Sequence, residues 1–457
     1  MANVNETTPF LQPSQGGNHW NKMKQRSMFL RVILALGVLL ALVCGIWMLQ
    51  SYQQQQPSDD TWQHDLDKLT QAGQACRDGI SRIPGSQYIE RQQRLAKALD
   101  DDSAFVLEPS PSMIYYTNMT WSRTERPFLV VFTRNQQSIT GLDMTIITPL
   151  FEETRAKEQV SQANLPIPIH MVAWVEHGSP FETAKQVLGH VKTVQVEPST
   201  RFFIVDGLQR VMNNVIMAST TVQQLRMVKS PEELAIMRCA NQLTELAIRT
   251  VKRHVQVGMT ENTIADKMTQ ALEHIGLIHT WVVALVDDNA AFPHGQPGKT
   301  NQVQSNSLVL IDTGGELYGY QSDTTRTFFL QDYNNKTVEE AWYTVQRAQD
   351  TVLKTMKQGH SCAQVDLAAR GVIEQAGWGD FFTHRLGHGI GLEMHEDPYM
   401  NQGNTECTLQ PGFTFSVEPG VYVPLQFGIR LEDIVVVNQQ GDLELLTNGL
   451  ASSPWTL

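Results

Sequence analysis

The stretch IDTGGELYGYQSD, residues 311–323, places two carboxylates, Asp312 and Asp323, at the facing ends of an expected β-hairpin. An apolar run, Leu308 to Ile311, leads into Asp312. Gly314 and Gly315 open the turn, and a second extended segment carries Asp323 into Thr324, Thr325 and Arg326. Both acids aim at one point. Buried like charges repel unless one takes a proton or cations sit between them, so the hairpin alone also fits a shared-proton pair or two exposed loop acids.

The C-terminal part adds ligands of the same kind. His388 lies in HRLGHGIGLEMHEDP, Glu418 in FSVEPG and Glu432 in GIRLED. Four carboxylates and one imidazole form a hard, oxygen-rich set that suits two divalent ions with bridging acids, rather than a thiolate-rich structural zinc site. With these five positions in order, the sequence resembles the metallopeptidases of the methionine aminopeptidase, Xaa-Pro aminopeptidase and prolidase superfamily, over roughly the last half of the chain. The resemblance implies an α+β chain with a C-terminal pita-bread catalytic domain. It also implies Asp312 on one ion, His388 and Glu418 on the other, and Asp323 and Glu432 bridging. A hydroxide between the ions then attacks the peptide carbonyl and Glu418 shuttles the proton. Manganese is the first expectation for both ions, with cobalt or zinc as alternatives.

A chain of 457 residues, 41% of them hydrophobic, has room for two or three domains and a large core. The net charge of -12 and an isoelectric point near 5.5, with no basic run after the N-terminal region, exclude a nucleic-acid partner. Cysteines stand at 44, 76, 239, 362 and 407 with no CxxC and no disulfide-dense spacing. Cys44 falls in an apolar segment, and the other four could pair or stay reduced, with buried thiols as the first reading.

That apolar segment, Val32 to Leu49, is uncharged and just long enough to cross a bilayer as a helix. Lys22, Lys24, Arg26 and Arg31 precede it, and Asp59 and Asp60 follow, which keeps the N-terminus cytoplasmic and the bulk of the chain on the periplasmic or extracellular side. No small-x-small cleavage site follows the run, so it reads as a signal anchor. The expected organisation is a tail over 1–31, a transmembrane helix over 32–49 and a linker over 50–60. An α/β domain over 61–226 and the catalytic domain over 227–457 complete it.

Within 61–226, two helices broken at Pro84–Gly85 precede a region where FVL, MIYYTN, FLVVFT and MVAWVE read as short strands, alternating with helical stretches such as Pro180 to Leu188. This order resembles the smaller N-terminal domain of prolidases, Xaa-Pro aminopeptidases and creatinases, which implies homodimer contacts and a narrowed approach to the site. Ser230 caps a helix that starts at Pro231 and runs to about Val255, and a second runs from Thr260 to about Ile275.

Three histidines take roles from the resemblance. His294, in AAFPHGQPG, lines the substrate pocket and hydrogen-bonds the scissile peptide; His384 and His395 bind substrate or stabilise the tetrahedral intermediate. Glycines 387, 389 and 391 disfavour a helix, so the HxxxH spacing is not a helical metal pair. Pro419 holds Glu418 extended, and Arg430 shares a face with Glu432, where it pairs with a metal-bound carboxylate or with substrate. Tyr422 joins Arg430 as a substrate-binding candidate. The loop YMNQGNTECTLQPG carries Glu406 and lacks the arginine with which prolidases clamp a proline carboxylate. The expected activity is therefore an aminopeptidase that removes the residue before a proline in second position. A strict Xaa-Pro dipeptidase is the alternative, and a non-catalytic pita-bread binding protein is the reading from another class.

Overall fold

The computed structural model describes residues 59–456. The expected tail, membrane span and Cys44 lie outside the described residues, and among those described no helix is long and apolar enough to cross a membrane. Asp59 and Asp60, assigned above to the linker, begin helix α1 (Asp59–Asp78). Helix α2 (Gly85–Ala98) follows the Pro84 break and buries Tyr88, Leu95 and Ala96.

Six strands then form one mixed sheet. They are β1 (Ser103–Leu107), β2 (Leu129–Arg134), β3 (Leu142–Pro149), β4 (Ile169–Trp174), β5 (Thr193–Val196) and β6 (Val215–Met217), in the order β4-β3-β2-β1-β5-β6. The parallel pairs β3–β4, β1–β5 and β5–β6 are joined through antiparallel β2. Helices α3 (Pro111–Thr117), α4 (Glu153–Ala163), α5 (Pro180–Leu188) and α6 (Phe202–Gln209) lie in the connections between them, and α7 (Thr220–Gln224) follows β6. Helix α3 corrects a reading. MIYYTN is helical, because Ser110 Oγ accepts from Met113 N at 3.2 Å and Pro111 sits in the first turn, which starts a helix where the apolar run alone suggested a strand.

After Ser230, two helix pairs each lead into strands. Helix α8 (Pro231–His254) opens with a reciprocal capping box between Ser230 and Glu233 and ends on Lys252, Arg253 and His254, which suit its C-terminal dipole. Helix α9 (Glu261–Ile275) is capped by Thr260 and stopped by Gly276 at φ +95°. Strands β7 (Ile278–Val286), β8 (Leu308–Leu317) and β9 (Tyr320–Phe329) form an antiparallel sheet. Helices α10 (Lys336–Thr355) and α11 (Cys362–Gln375) start the second half. Next come β10 (Gly387–Gly389), β11 (Glu396–Met400), β12 (Thr414–Val417), β13 (Gly420–Val423), β14 (Phe427–Arg430), β15 (Asp433–Val437) and β16 (Leu443–Leu445). Five of them make the sheet β11-β10-β12-β15-β16, and β13 pairs with β14. Helix α10 locks onto the first half through Trp342, fully buried, whose Nε1 donates to Thr327 O at 2.8 Å. Burial of a ring that size contributes about 3 kcal/mol.

The hairpin turn is not at Gly314–Gly315. Strands β8 and β9 run ten residues each, and the turn is Tyr318–Gly319 with φ of 52° and 90°, the two-residue type that matches strand twist. Gly314 lies mid-strand because a Cβ there would come 1.8 Å from Ser322 O. The cysteines also depart from expectation: Cys76 is bonded to Cys239, tying α1 to α8, and Cys362 to Cys407, tying the start of α11 to the loop after β11. Partners 163 and 45 residues apart leave no local spacing to read.

Candidate active site

The register of β8 on β9 sets the first two acids. Asp312 faces Thr325 and Gly314 faces Asp323, so the two carboxylates are diagonal neighbours on one side of the hairpin. Asn241 of α8 receives the Asp323 backbone N–H at 3.2 Å. His388 arrives on β10, which pairs with β12 through Gly389 and Phe415, and Glu418 follows β12 directly. Glu432 lies in the two-residue junction between β14 and β15 rather than within a strand. Its N–H reaches Thr325 O at 3.0 Å and its Oε2 accepts from Thr325 Oγ1 at 2.6 Å.

Five side chains thus meet. Oxygen atoms of Asp312, Asp323 and Glu432 lie within 4.8 Å of one another, and so do the donor atoms of His388, Glu418 and Glu432 and those of Asp323, His388 and His395. His388 Nδ1 donates to Gly389 O at 3.1 Å, which turns bare Nε2 to Glu418 at 3.4 Å and Asp323 at 3.6 Å. Burial, with Glu432 and Asp312 adding, pushes Asp323 well above the carboxylate range; burial with Glu418 does the same to Glu432, and burial lifts Glu418 to about 7. The same burial, helped by His395, drops His388 to about 3, so it offers a neutral nitrogen. Asp312 Oδ1 and Asp323 Oδ1 are buried without a hydrogen-bond partner among the described residues. Crowded acids, two orphaned oxygens and a ligand-ready imidazole fit divalent cations.

Arg430 is the cation inside this wall. It donates to Asp312 Oδ2 at 2.5 Å, Thr325 Oγ1 at 3.1 Å and Tyr422 Oη at 2.8 Å. Tyr422 in turn donates to His384 Nε2 at 2.9 Å, whose Nδ1 donates to Arg385 O at 2.6 Å. Both His384 nitrogens are therefore hydrogen-bonded within the protein while the ring lines the cavity beside Arg430, and burial keeps it neutral, with its pKa down near 3.

These groups line a cavity of about 620 Å³, walled on its apolar side by Trp281, Val283, Pro293 and Met394. His294 and His395 face it, and neither has a hydrogen-bond partner among the described residues. The His395 ring lies 4.0 Å from that of His388. One charged cavity residue was missed in the sequence. Arg385 lines the cavity with its guanidinium 4.5 Å over the Tyr399 ring and with no carboxylate paired to it among the described residues. The only sequence signal was a cation placed directly between His384 and the glycine-flanked His388.

Comparison with known proteins agrees with this geometry. Residues 235–439 match the model of metallopeptidase family M24. An uncharacterized peptidase of Schizosaccharomyces pombe is 36% identical, covering 82% of this chain and 84% of its own length. The crystal structure of dipeptidase PepE from Mycobacterium ulcerans superposes with a TM-score of 0.73 at 29% identity, over 81% of this chain and 98% of that one. The Xaa-Pro dipeptidase from Bacillus anthracis gives a TM-score of 0.68 at 26% identity, over 79% and 98%.

Proposed function

The chain belongs to metallopeptidase family M24, and on that premise we propose that it is a two-metal dipeptidase that cleaves Xaa-Pro dipeptides. The observation that carries the dipeptide reading is Arg385. A guanidinium without an acidic partner among the described residues, 4.5 Å over the Tyr399 ring in the wall of the cavity, is a receptor for the free carboxylate of a short substrate. It supplies from another segment the cation that the 399–412 loop lacks. Preference for proline is supported by the likeness to the Xaa-Pro dipeptidase.

Asp312, Asp323, His388, Glu418 and Glu432 would hold the ions; manganese is the first candidate. Bound there, divalent cations polarise a carbonyl and lower the pKa of water toward neutrality. The remaining work falls to the chain. Arg385 fixes the substrate's carboxylate end, and the apolar wall excludes water around the ring. His395, kept neutral by burial and by Arg385, donates an N–H to the carbonyl oxygen as charge develops, and His294 holds the scissile peptide. Glu418, with Ser416 Oγ donating to its Oε1 at 3.1 Å, carries the proton to the leaving nitrogen.

A second reading, the aminopeptidase acting on longer peptides, is favoured by one observation. A groove of about 360 Å³ shares Arg385 and Asn401 with the cavity and extends past Thr383 and Gln402. The test is direct. Full-length protein, stripped of metal and reloaded with manganese, cobalt or zinc, is given Xaa-Pro dipeptides, Xaa-Pro-Xaa tripeptides and C-terminally amidated dipeptides. Preferred cleavage of free dipeptides, lost about 10- to 100-fold in kcat/KM for Arg385→Ala, supports the clamp. Equal cleavage of tripeptides and amides, unchanged by Arg385→Ala, would turn the assignment to the aminopeptidase.

Location and assembly belong to the same proposal. Two disulfides suit an oxidising compartment, which supports placing residues 59–456 outside the cytoplasm behind an anchor at 32–49. Exposed Phe202, Ile216 and Met217, the last two on edge strand β6, offer an apolar surface for a second copy in a homodimer.

A further inference from the structure

His395 has no hydrogen-bond partner among the described residues to aim its ring, which packs against that of His388 at 4.0 Å, so its direction depends on the backbone that carries it. That backbone is fastened by charges the reaction does not use. Gly391 N donates to Glu393 O at 3.0 Å, and Glu393 N donates to Glu396 Oε2 at 3.3 Å, which closes the segment 391–396 on itself. The Glu396 carboxylate then meets Lys229 Nζ at 2.8 Å. Both side chains are almost fully buried, at 1% and 3% exposure. Lys229 spends its other protons on Arg226 O at 3.0 Å and Met227 O at 3.2 Å. Arg226 pairs with Glu393 and lies 3.5 Å from Glu396. The fit is close: a Cβ on Gly391 would come 2.6 Å from Lys229 Cε and 2.7 Å from Glu396 Oε1.

We propose that the buried Lys229–Glu396 pair is a positioning pair for His395, coupling the junction before α8 to the catalytic cavity. A buried ion pair is no more stabilising than apolar side chains of similar volume, so stability alone does not account for it. What apolar packing does not supply is direction. Lys229 bonds three acceptors at once and Glu396 is held from two sides, which leaves the residue beside Glu396 one orientation. The inference rests on the role proposed above for His395.

The experiment uses metal-loaded full-length protein and four variants: His395→Ala, Glu396→Gln, Lys229→Met, and the double change Lys229→Met with Glu396→Leu. Thermal midpoint, metal content, kcat and KM are read for each on a Xaa-Pro dipeptide. The single Lys229 change leaves the buried carboxylate with Arg226 alone as its cation, at 3.5 Å, and lowers both midpoint and kcat. The double change removes both charges, so the midpoint returns toward wild type while kcat stays about tenfold down, with KM and metal content within about twofold. Glu396→Gln keeps the shape but only one of the two acceptor oxygens, turning the other position into a donor, and shows a smaller loss in kcat with the fold intact. It carries the test if the double variant does not fold. Recovery of kcat together with the midpoint would make the pair purely structural and overturn the inference. So would a loss confined to KM or metal content, or wild-type kcat in Glu396→Gln when the double variant is unfolded. His395→Ala separates the two levels. If it keeps wild-type kcat, the role of His395 itself falls; if it loses activity while the pair variants do not, only the positioning proposal falls.

Discussion

The two faces of strand β9 carry the same kinds of side chain to opposite ends. On one face, Asp323 joins Asp312, Glu418 and Glu432, and Arg430 is the only cation hydrogen-bonded into the group among the described residues. One residue along from Thr325, on the other face, fully buried Arg326 meets Asp433. There every carboxylate oxygen is satisfied. Asp433 Oδ1 accepts from Arg326 at 2.7 Å and Thr447 at 2.6 Å, and Oδ2 accepts from Arg326 at 3.2 Å and Gln349 at 2.8 Å. Glu245, 3.5 Å from Arg326, is paired again with Arg249. The difference is compensation rather than burial. Where acids and bases balance, the charge is architecture; where acids exceed bases and oxygens go unpartnered, the fold keeps room for an ion.

The largest way to sharpen that contrast is to remove one acid from each face. Asp323→Ala should abolish tight metal binding and lower peptidase activity by about four orders of magnitude, measured by elemental analysis and kcat, while the protein stays folded. In metal-free protein, Asp323→Asn should raise the thermal midpoint above that of the metal-free parent, because it relieves crowding. Asp433→Ala should do the reverse, costing about 4 kcal/mol of stability in denaturant titration by stranding Arg326, with metal content per folded molecule retained. If both alanine variants behaved alike, the distinction between the faces would collapse.

A pH series tests the same point without mutation. Glu418 titrates near 7 in the metal-free fold, above its ordinary 4.5, so the folded state holds the proton longer than the unfolded chain. Its stabilising effect is full below about pH 4.5 and is lost as pH rises toward 7, by about 3 kcal/mol from this group alone. The gap in thermal midpoint between metal-loaded and stripped protein should therefore widen from about pH 5 to 7, and a constant gap would deny the crowding. The smallest effect is expected from Thr325→Val, which deletes the hydroxyl between Glu432 and Arg430 and should weaken metal binding by about 1 kcal/mol in calorimetry.

That Asp312, Asp323, His388, Glu418 and Glu432 come together was legible because they sit in short segments punctuated by glycine and proline, where local chemistry dictates backbone shape. The cap at Ser230 was legible for the same reason. What escaped depended on distance in sequence. The Gly314–Gly315 pair looks like a turn until Ser322 and Trp281 crowd it from neighbouring strands, and then glycine is what lets the strand continue. His384 looks free until Tyr422, 38 residues on, takes its Nε2. Arg385 reads as a spacer between histidines, and only its packing on Tyr399 gives it a direction. MIYYTN held a helix signal in Ser110 and Pro111, which the apolar run outweighed.

The bond between Cys76 and Cys239 spans 163 residues, among them the whole six-stranded sheet. A protease that nicks any loop between those two positions cuts the main chain without releasing either product. The fragment that ends before the nick keeps α1, and through sulfur it keeps α8 and the half of the molecule that holds the acids. Such a nicked protein would run as one band on a non-reducing gel and as two after reduction, with its acids and its six-stranded sheet still on one covalent body.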